Sequence, residues 1–362
     1  MIKNAYIHIP FCFRKCNYCS FVSYNTLVFK EDYINSLCRQ ISSNYKGEKL
    51  NTIYFGGGTP SILSIDDFKK ILSLLEYDEN TEITVEANPE TINSNYLKNL
   101  RNIGINRLSI GVQAFDNDLL KIIGRKHSVN DALSAVYDAK KSGFDNISID
   151  LIYGLPSQNI KRFQSSLDQL KNLNVEHISL YGLKIDEGSK FYNDMPDLLL
   201  DSDEQADMYL LAVDYLKRIG YEHYEISNFA KRGFESRHNL SYWNNLNYYG
   251  FGCSASGYEG DIRYSNERNL ASYIDDFSQR EEVLVTLQEK LEEEIFLGLR
   301  KTEGIDVSRI NERYSIDFNQ KYKTILDKYL SSGHINITDK GYSLTLNGIL
   351  MSNNILSEFI ED

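Results

Sequence analysis

A positive surplus is missing from this sequence: 39 Lys and Arg stand against 51 Asp and Glu, a net charge of −12 over 362 residues. Phosphate affinity comes mainly from neutralisation by Lys and Arg, which excludes a generic nucleic-acid binder but not an anionic small molecule in a local basic or backbone-amide pocket. Cysteine is scarce, at five residues. An odd number with three clustered does not make a disulfide framework, and in a reducing compartment such clusters bind metal or do redox work. Also lacking are an apolar run long enough to span a bilayer, a basic-then-apolar leader, low-complexity tracts and short-period repeats. The expectation is a cytoplasmic chain without a membrane span, folded as one large domain or two to three smaller ones.

What is present is a long rhythm of β-branched run, loop rich in Gly, Pro or Asn, and amphipathic helix. The runs are Ala5–Ile9, Asn51–Phe55, Ile83–Glu86, Arg107–Val112, Ile147–Ile152 and His177–Leu183, with helical patterns near 30–45, 66–75, 93–102, 129–142, 160–172 and 203–219. Alternating β and α units imply a parallel sheet, because each right-handed crossover needs a covering helix. Six units make either a doubly wound sheet or part of a barrel. Polar and glycine residues gather where the runs end, at GGGTP 56–60, EANPE 86–90, GVQ 111–113 and DLIYGLP 150–156, and that rim is where barrels place their chemistry. The prediction is an α/β fold: an incomplete (β/α)6 barrel over 1–225.

After residue 225 the rhythm fails. Residues 226–285 read as an aromatic connecting region. From 286 a new pattern begins, with Leu284, Leu287, Leu291, Ile295 and Leu299 at helical spacing and Glu292–Glu294 between them as a solvated face. A helix near 317–332, a hairpin turning at Asp339-Lys340-Gly341 and a closing helix at 347–360 complete a small winged-helix-like α+β domain over 286–362. With 9 Lys and Arg against 13 Asp and Glu, this segment reads as a helper or lid and not as a DNA reader.

Cys12, Cys16 and Cys19 form C-x3-C-x2-C in the loop leaving the first run. Thiolates so spaced converge on a soft metal centre, and zinc and iron–sulfur are the two candidates. Structural zinc generally takes four protein ligands, often as two separated pairs, whereas here one group of three stands alone. A [4Fe–4S] cluster fits when three irons take cysteine and the fourth stays open for a small-molecule ligand. His8 suits a supporting role in its strand better than that of a fourth ligand, and Cys38 reads as a small buried hydrophobe. Gly56-Gly57-Gly58-Thr59 ends a run without side chains in the way, so that backbone can approach a ligand closely. Glu86, Gln113, Arg125 and Asp150 fall at or just beyond run ends, each either a ligand contact or a hydrogen-bonded structural polar group.

Taken in order, YIHIPFC, YFGGGTPS, VEANPE, RLSIGVQ, GRKH and IDLIYGLP make the chain similar to the radical SAM superfamily. Within it, the chain resembles the branch holding oxygen-independent coproporphyrinogen III oxidase and the HemW-like heme chaperones, over nearly its whole length. The resemblance implies a [4Fe–4S] cluster on Cys12, Cys16 and Cys19 whose open iron chelates S-adenosylmethionine. It also implies contacts to that molecule from Tyr6, Gly57, Gly58, Thr59, Glu86, Gln113, Arg125 and Asp150, with Tyr18 packing on the nucleoside. Asp150 keeps two roles open, the ribose hydroxyls or a second bound molecule. Reductive cleavage to a 5′-deoxyadenosyl radical and a flavodoxin- or ferredoxin-type electron donor follow from the same likeness.

Within that branch the oxidase pattern carries a further cysteine two residues on, where this chain has Phe21, and a segment ahead of the cluster that this chain lacks. Both features point to the chaperone side. RHNLSYWNN at 237–245 reproduces the HNxxYW signature associated with heme. If helical, it sets His238 and Tyr242 on one face, which offers an imidazole to heme iron, with Trp243 as aromatic surface and Arg237 for a propionate. The alternative is a capped turn anchored by the sole tryptophan. Ser256 stands where relatives often have histidine, which weakens the case for a second heme ligand there. The resemblance thus implies a chaperone that passes heme to apo-hemoproteins, docking peripherally where those are membrane proteins. The alternatives are the oxidase and a radical SAM enzyme with a non-tetrapyrrole substrate.

Overall fold

Polar and apolar residues alternate strictly along the six predicted strands, and the two phases face opposite ways. In the computed structural model, which describes residues 1–361, the strands lie side by side in chain order: β1 (Asn4–Ile9), β2 (Thr52–Gly57), β3 (Glu82–Ala87), β4 (Arg107–Gln113), β5 (Ile147–Tyr153) and β6 (His177–Gly182). All five pairings are parallel. Ile7, Ile53, Val85, Ile110, Ile149 and Leu180 belong to one phase and are fully buried beneath the covering helices. The other phase, carrying Tyr6, Tyr54, Glu86, Ser109, Asp150 and Ser179, lines the inner face, because a period of two sends alternate side chains to opposite sides. Ser64 and Ser128 start two of the covering helices with reciprocal capping boxes to Asp67 and Asp131, which satisfy orphan donors of the first turn.

The parallel sheet does not close on itself. The free edge of β1 takes β9 (Tyr249–Phe251) in parallel, and β6 takes β8 (Asn228–Ala230) and then β7 (Glu222–Glu225) antiparallel, giving nine strands. The expected incomplete α/β barrel is therefore present, with both edges extended. Residues 226–285 are less separate than their composition suggests. They supply β8 and β9 to the main sheet, since Tyr249 and Phe251 bury their rings completely, and a three-stranded antiparallel sheet of Ser256–Glu259, Ile262–Asn266 and Arg280–Leu284 follows.

The C-terminal segment begins with a helix at Leu287–Gly298 and folds round a sheet of Ile305–Asp306, Ile335–Ile337 and Gly341–Leu344. The hairpin at Asp339–Gly341 forms as expected. The helix expected at 317–332 is broken at Tyr322, and the closing helix divides at Met351. The acidic run corrects the expectation of a solvated face. Glu292 is buried and accepts from Gln288 Nε2 at 2.7 Å. Glu293 holds Arg263 through two bonds of 2.6 and 2.8 Å, and Glu294 accepts from Arg313 and Tyr314 at 2.8 Å each. A helix packed on more than one side keeps its carboxylates only by pairing them. Among the described residues no helix is long and apolar enough to cross a membrane.

Candidate functional site

The polar inner face and the loops at the C-terminal strand ends enclose a cavity of about 480 Å³. Its mouth is formed by the loop after β1, which folds back on itself: Tyr24 N–H donates to Pro10 O (2.7 Å) and Cys12 N–H to Tyr24 O (3.1 Å). Asn17 pins this loop across the cavity, its backbone N–H donating to Ile123 O at 3.0 Å and its side-chain amide to Ile122 O at 2.8 Å. Cys12, Cys16, Tyr18 and Cys19 consequently all line the cavity, together with Gly57, Gly58, Thr59, Glu86, Gln113, Arg125 and Asp150.

The donor set fits a cluster better than a lone ion. Three cysteine sulfurs line one cavity, the thiol set a [4Fe–4S] cluster takes when one iron is left for a small-molecule ligand. Thr59 Oγ1 stands 3.5 Å from Cys12 Sγ and Arg125 Nη1 stands 3.6 Å from Cys16 Sγ, so outer donors face two of the three sulfurs. Burial pushes the Cys12 and Cys19 thiols up; the thiolate form there depends on a bound cationic centre.

Local backbone devices aim the remaining groups. Gly57 has φ +113°, and a Cβ there would stand 2.6–2.9 Å from the His8 ring; Gly58 would meet Phe11 O at 2.6 Å. Only glycine lets this strand end pass so close to the cysteine loop. The register between β4 and β5 shifts between Gly111 and Gln113, and Gln113 adopts φ +68°. This bulge re-aims Gln113 into the cavity. Arg125 is held by Asn88 Oδ1 at 2.7 Å and by Gly111 O.

Glu86 and Asp150, the two cavity acids on the strands, are bonded to neutral donors. Tyr54 Oη donates to Glu86 Oε1 at 2.8 Å and Gly57 N–H to Oε2 at 3.2 Å, while burial raises the Glu86 carboxyl to about 7. Asp150 accepts from Ser109 at 3.0 and 3.1 Å and from Ser148 at 3.3 Å, and burial raises it too. Tyr54, Asn88, Arg107, Ser109 and Asn239 also line the cavity and were not singled out from the sequence. The signal was there for the first four: each lies in phase with, or directly after, an inward position of its strand.

Two groups of expected residues stand apart from the cavity lining. Tyr6 is set back from the cavity wall, its ring packed against Tyr54 with centroids 6.2 Å apart and its hydroxyl 2.9 Å from His8 Nδ1. The heme constellation of His238, Tyr242 and Trp243 lies outside the cavity lining. His238, Tyr242 and Trp243 do fall on one short helix, Arg237–Trp243, but it packs at the opposite end of the strands. The Arg237 and His238 N–H groups donate to the Glu82 carboxylate at 3.1 Å each. His238 is buried, with Nδ1 2.7 Å from Thr52 Oγ1 and Nε2 2.8 Å from Tyr242 Oη, and its ring stacks on Tyr54. Both ring nitrogens are thus engaged. Trp243 lies beneath the Arg300 guanidinium at 4.7 Å, and Arg237 donates to Asn80 O at 2.6 Å.

Comparison with known proteins agrees with this fold. Residues 6–170 match the Radical SAM superfamily model and residues 285–351 match the HemN C-terminal domain. The chain is 38% identical to the heme chaperone HemW of Bacillus subtilis, covering 99% of each protein. It is 39% identical to that of Lactococcus lactis, covering 99% of this chain and 98% of the relative. The Escherichia coli heme chaperone HemW is 37% identical, over 70% of this chain and 69% of its own length. In structure, the coproporphyrinogen III oxidase HemN from Escherichia coli, a radical SAM enzyme, superposes with a TM-score of 0.87 over 99% of this chain and 90% of that one, at 23% identity.

Proposed function

This chain belongs to the heme chaperone HemW family of the radical SAM superfamily, and from that premise we propose that it binds heme and transfers it to apo-hemoproteins. In the same reading it carries a [4Fe–4S] cluster and S-adenosylmethionine in its barrel. The observation that supports this most directly is the single cavity uniting three cysteines with a glycine strand end, two acids, a bulged glutamine and a sulfur-facing arginine.

Cys12, Cys16 and Cys19 would hold the cluster, which when bound supplies a low-potential electron and an open coordination position. Around it, Thr59 and Arg125 face the sulfurs, and hydrogen bonds of that kind tune a cluster's potential. The bare backbone at Gly57 and Gly58 leaves room for the amino-acid end of S-adenosylmethionine. Glu86, oriented by Tyr54 and Gly57, offers a carboxylate to an ammonium or ribose hydroxyl. Asp150 keeps its fixed place through Ser109 and Ser148, Gln113 supplies an amide from the bulge, and Tyr18 walls the mouth. Heme is held in this reading without the His238 imidazole. An electron donor of flavodoxin or ferredoxin type would reach the cluster from the mouth, and the protein would work in the cytoplasm, docking peripherally where the recipient lies in a membrane.

Anaerobically reconstituted protein is expected to contain iron and sulfide, to change its iron spectrum on addition of S-adenosylmethionine, and to shift the Soret band of added heme. Absence of a Soret shift sinks the chaperone reading. Formation of protoporphyrinogen from coproporphyrinogen III would replace it by the oxidase.

A further inference from the structure

Arg107 is the one charged side chain of the barrel interior that the site described above leaves unused. It opens β4, two inward positions deeper than Gly111, is 2% exposed, and lines the cavity. Among the described residues it makes no ion pair: no carboxylate oxygen lies within 4.0 Å of its guanidinium, its Nε is buried without a partner, and no acceptor receives a hydrogen bond from it. The neighbouring acids do not need it. Glu86 is served by Tyr54 and Gly57, Asp150 by Ser109 and Ser148, and Glu82 by the helix start at Arg237 and His238. The other cavity cations differ: Arg125 is bonded to Asn88, Lys15 donates to Gly188 O at 3.2 Å, Lys184 pairs with Asp186 at 2.9 Å, and Arg14 is exposed to solvent at the mouth.

A buried guanidinium is always charged, presents five donors in a planar fork and has no acceptor of its own. Left unpaired away from water it is strongly unfavourable, so such groups are paired in the working state. The fork matches a carboxylate bidentately. Strand rise places the Arg107 backbone roughly 13 Å below the Gly111 level, away from the cysteines, so the group it meets is distinct from one held at the mouth.

We propose that Arg107 is the receptor for a carboxylate of a bound ligand at the floor of the cavity, distinct from the cysteine-lined mouth. The inference rests on the proposed binding of heme and adds that the floor of this cavity receives one of its propionates. The carboxylate is a heme propionate, because the amino-acid end of S-adenosylmethionine is taken by the Gly57–Gly58 strand end beside the cysteines.

The test compares wild type with Arg107→Gln and Arg107→Lys on reconstituted protein across pH 7 to 9, so that an upward shift of the Glu86 titration on loss of the Arg107 charge is read apart from a loss of affinity. Affinities are measured for heme, for heme dimethyl ester and for S-adenosylmethionine, with sodium propionate as a small probe in thermal melts. Arg107→Gln weakens heme about tenfold or more. Wild type then prefers heme to its ester, and the variant does not. Arg107→Lys, which keeps charge without the fork, falls between them and shows by its melt that the fold survives. If S-adenosylmethionine weakens instead and heme does not, Arg107 acts on the site at the mouth and the proposal is overturned. If neither ligand weakens in a variant that melts as wild type does, the proposal is overturned and Arg107 is a hydrated structural cation. If wild type binds no heme, the chaperone reading fails separately. The receptor is then decided by propionate, which should stabilise wild type saturably and leave Arg107→Gln unmoved; no response to it overturns the proposal.

Discussion

Thr52 Oγ1 lies 2.7 Å from His238 Nδ1 while donating its own hydrogen to Asn4 Oδ1 at 3.0 Å. A hydroxyl has one hydrogen to give, so the proton between Thr52 and His238 belongs to Nδ1. Nε2 is then the acceptor, and its lone pair is taken by the Tyr242 hydroxyl at 2.8 Å. The nitrogen that would face an iron is closed by the residue four positions on. Burial, with the positive charge of Arg107 adding to it, pushes the ring down to about 3, so the histidine is neutral throughout the physiological range.

His238→Ala is therefore expected to cost stability and to leave heme spectroscopy alone. Losing a buried ring and stranding Thr52 and Tyr242 corresponds to about 2–4 kcal/mol in urea unfolding. The folded-state value lies below the unfolded value of about 6.5, so the unfolded chain binds the proton first. The contribution of His238 is fully present above pH 6.5 and is lost as pH falls toward 3, by up to about 1.4 kcal/mol per unit. The gap between wild type and variant should narrow across that window. A changed Soret maximum in the folded variant would return His238 to the ligand set.

Glu86 titrates in the opposite sense. Its carboxyl, raised by burial to about 7, is largely protonated at pH 6 and largely ionised at pH 8. Only the ionised form attracts an ammonium or accepts freely from ribose. S-adenosylmethionine affinity is expected to rise with pH through 7, approaching tenfold per unit on the acid side, with proton release on binding. Glu86→Gln should bind weakly and with a flat profile. Calorimetry between pH 6 and 8.5 checks both, and an equally steep profile in the variant defeats the assignment.

The strand rhythm and the C-x3-C-x2-C spacing were readable because each follows from local chemistry: β-branched runs make strands, and three close thiols need one shared partner. The inner wall was also readable in principle, since Arg107, Ser109, Gly111 and Gln113 stand two apart, but reading the runs as apolar hid their polar phase. The placement of His238 was not readable. Residues 237–243 do make a helix with His238 and Tyr242 on one face, as the spacing requires. Which end of the barrel that helix covers depends on Glu82 and Thr52, more than 150 residues earlier in the chain. The acidic run failed for the same reason: Glu293 owes its burial to Arg263, a partner that helical periodicity does not show.

The five cysteines divide three to two. Serine at Cys12, Cys16 or Cys19 removes a thiolate from the shared cavity, and each variant should lose most of its reconstituted iron and sulfide. Cys38 and Cys253 lie outside that cavity, and Cys253 donates to Arg268 O at 3.3 Å. Serine at either should keep iron at the wild-type level by colorimetric assay. Iron loss from the Cys253 variant with an unchanged melting temperature would show that the cluster site extends beyond the three.

Gly57 tests whether the strand end is built for close approach or is merely a turn. Alanine there meets two separable obstacles: backbone at φ +113°, a conformation side chains rarely adopt, and the His8 ring 2.6–2.9 Å from the new Cβ. The strained backbone alone is worth about 1–3 kcal/mol, and the overlap adds a comparable amount because a packed ring has little room to yield. His8→Ala removes the second obstacle and not the first. In the His8→Ala background, Gly57→Ala should thus destabilise less than in wild type, with a coupling of about 1 kcal/mol or more in a double-mutant cycle. Binding of S-adenosylmethionine should fail in both backgrounds, because the added methyl also shifts the Gly57 N–H that orients Glu86. A Gly57→Ala protein that keeps wild-type affinity would reduce the glycine run to an ordinary turn.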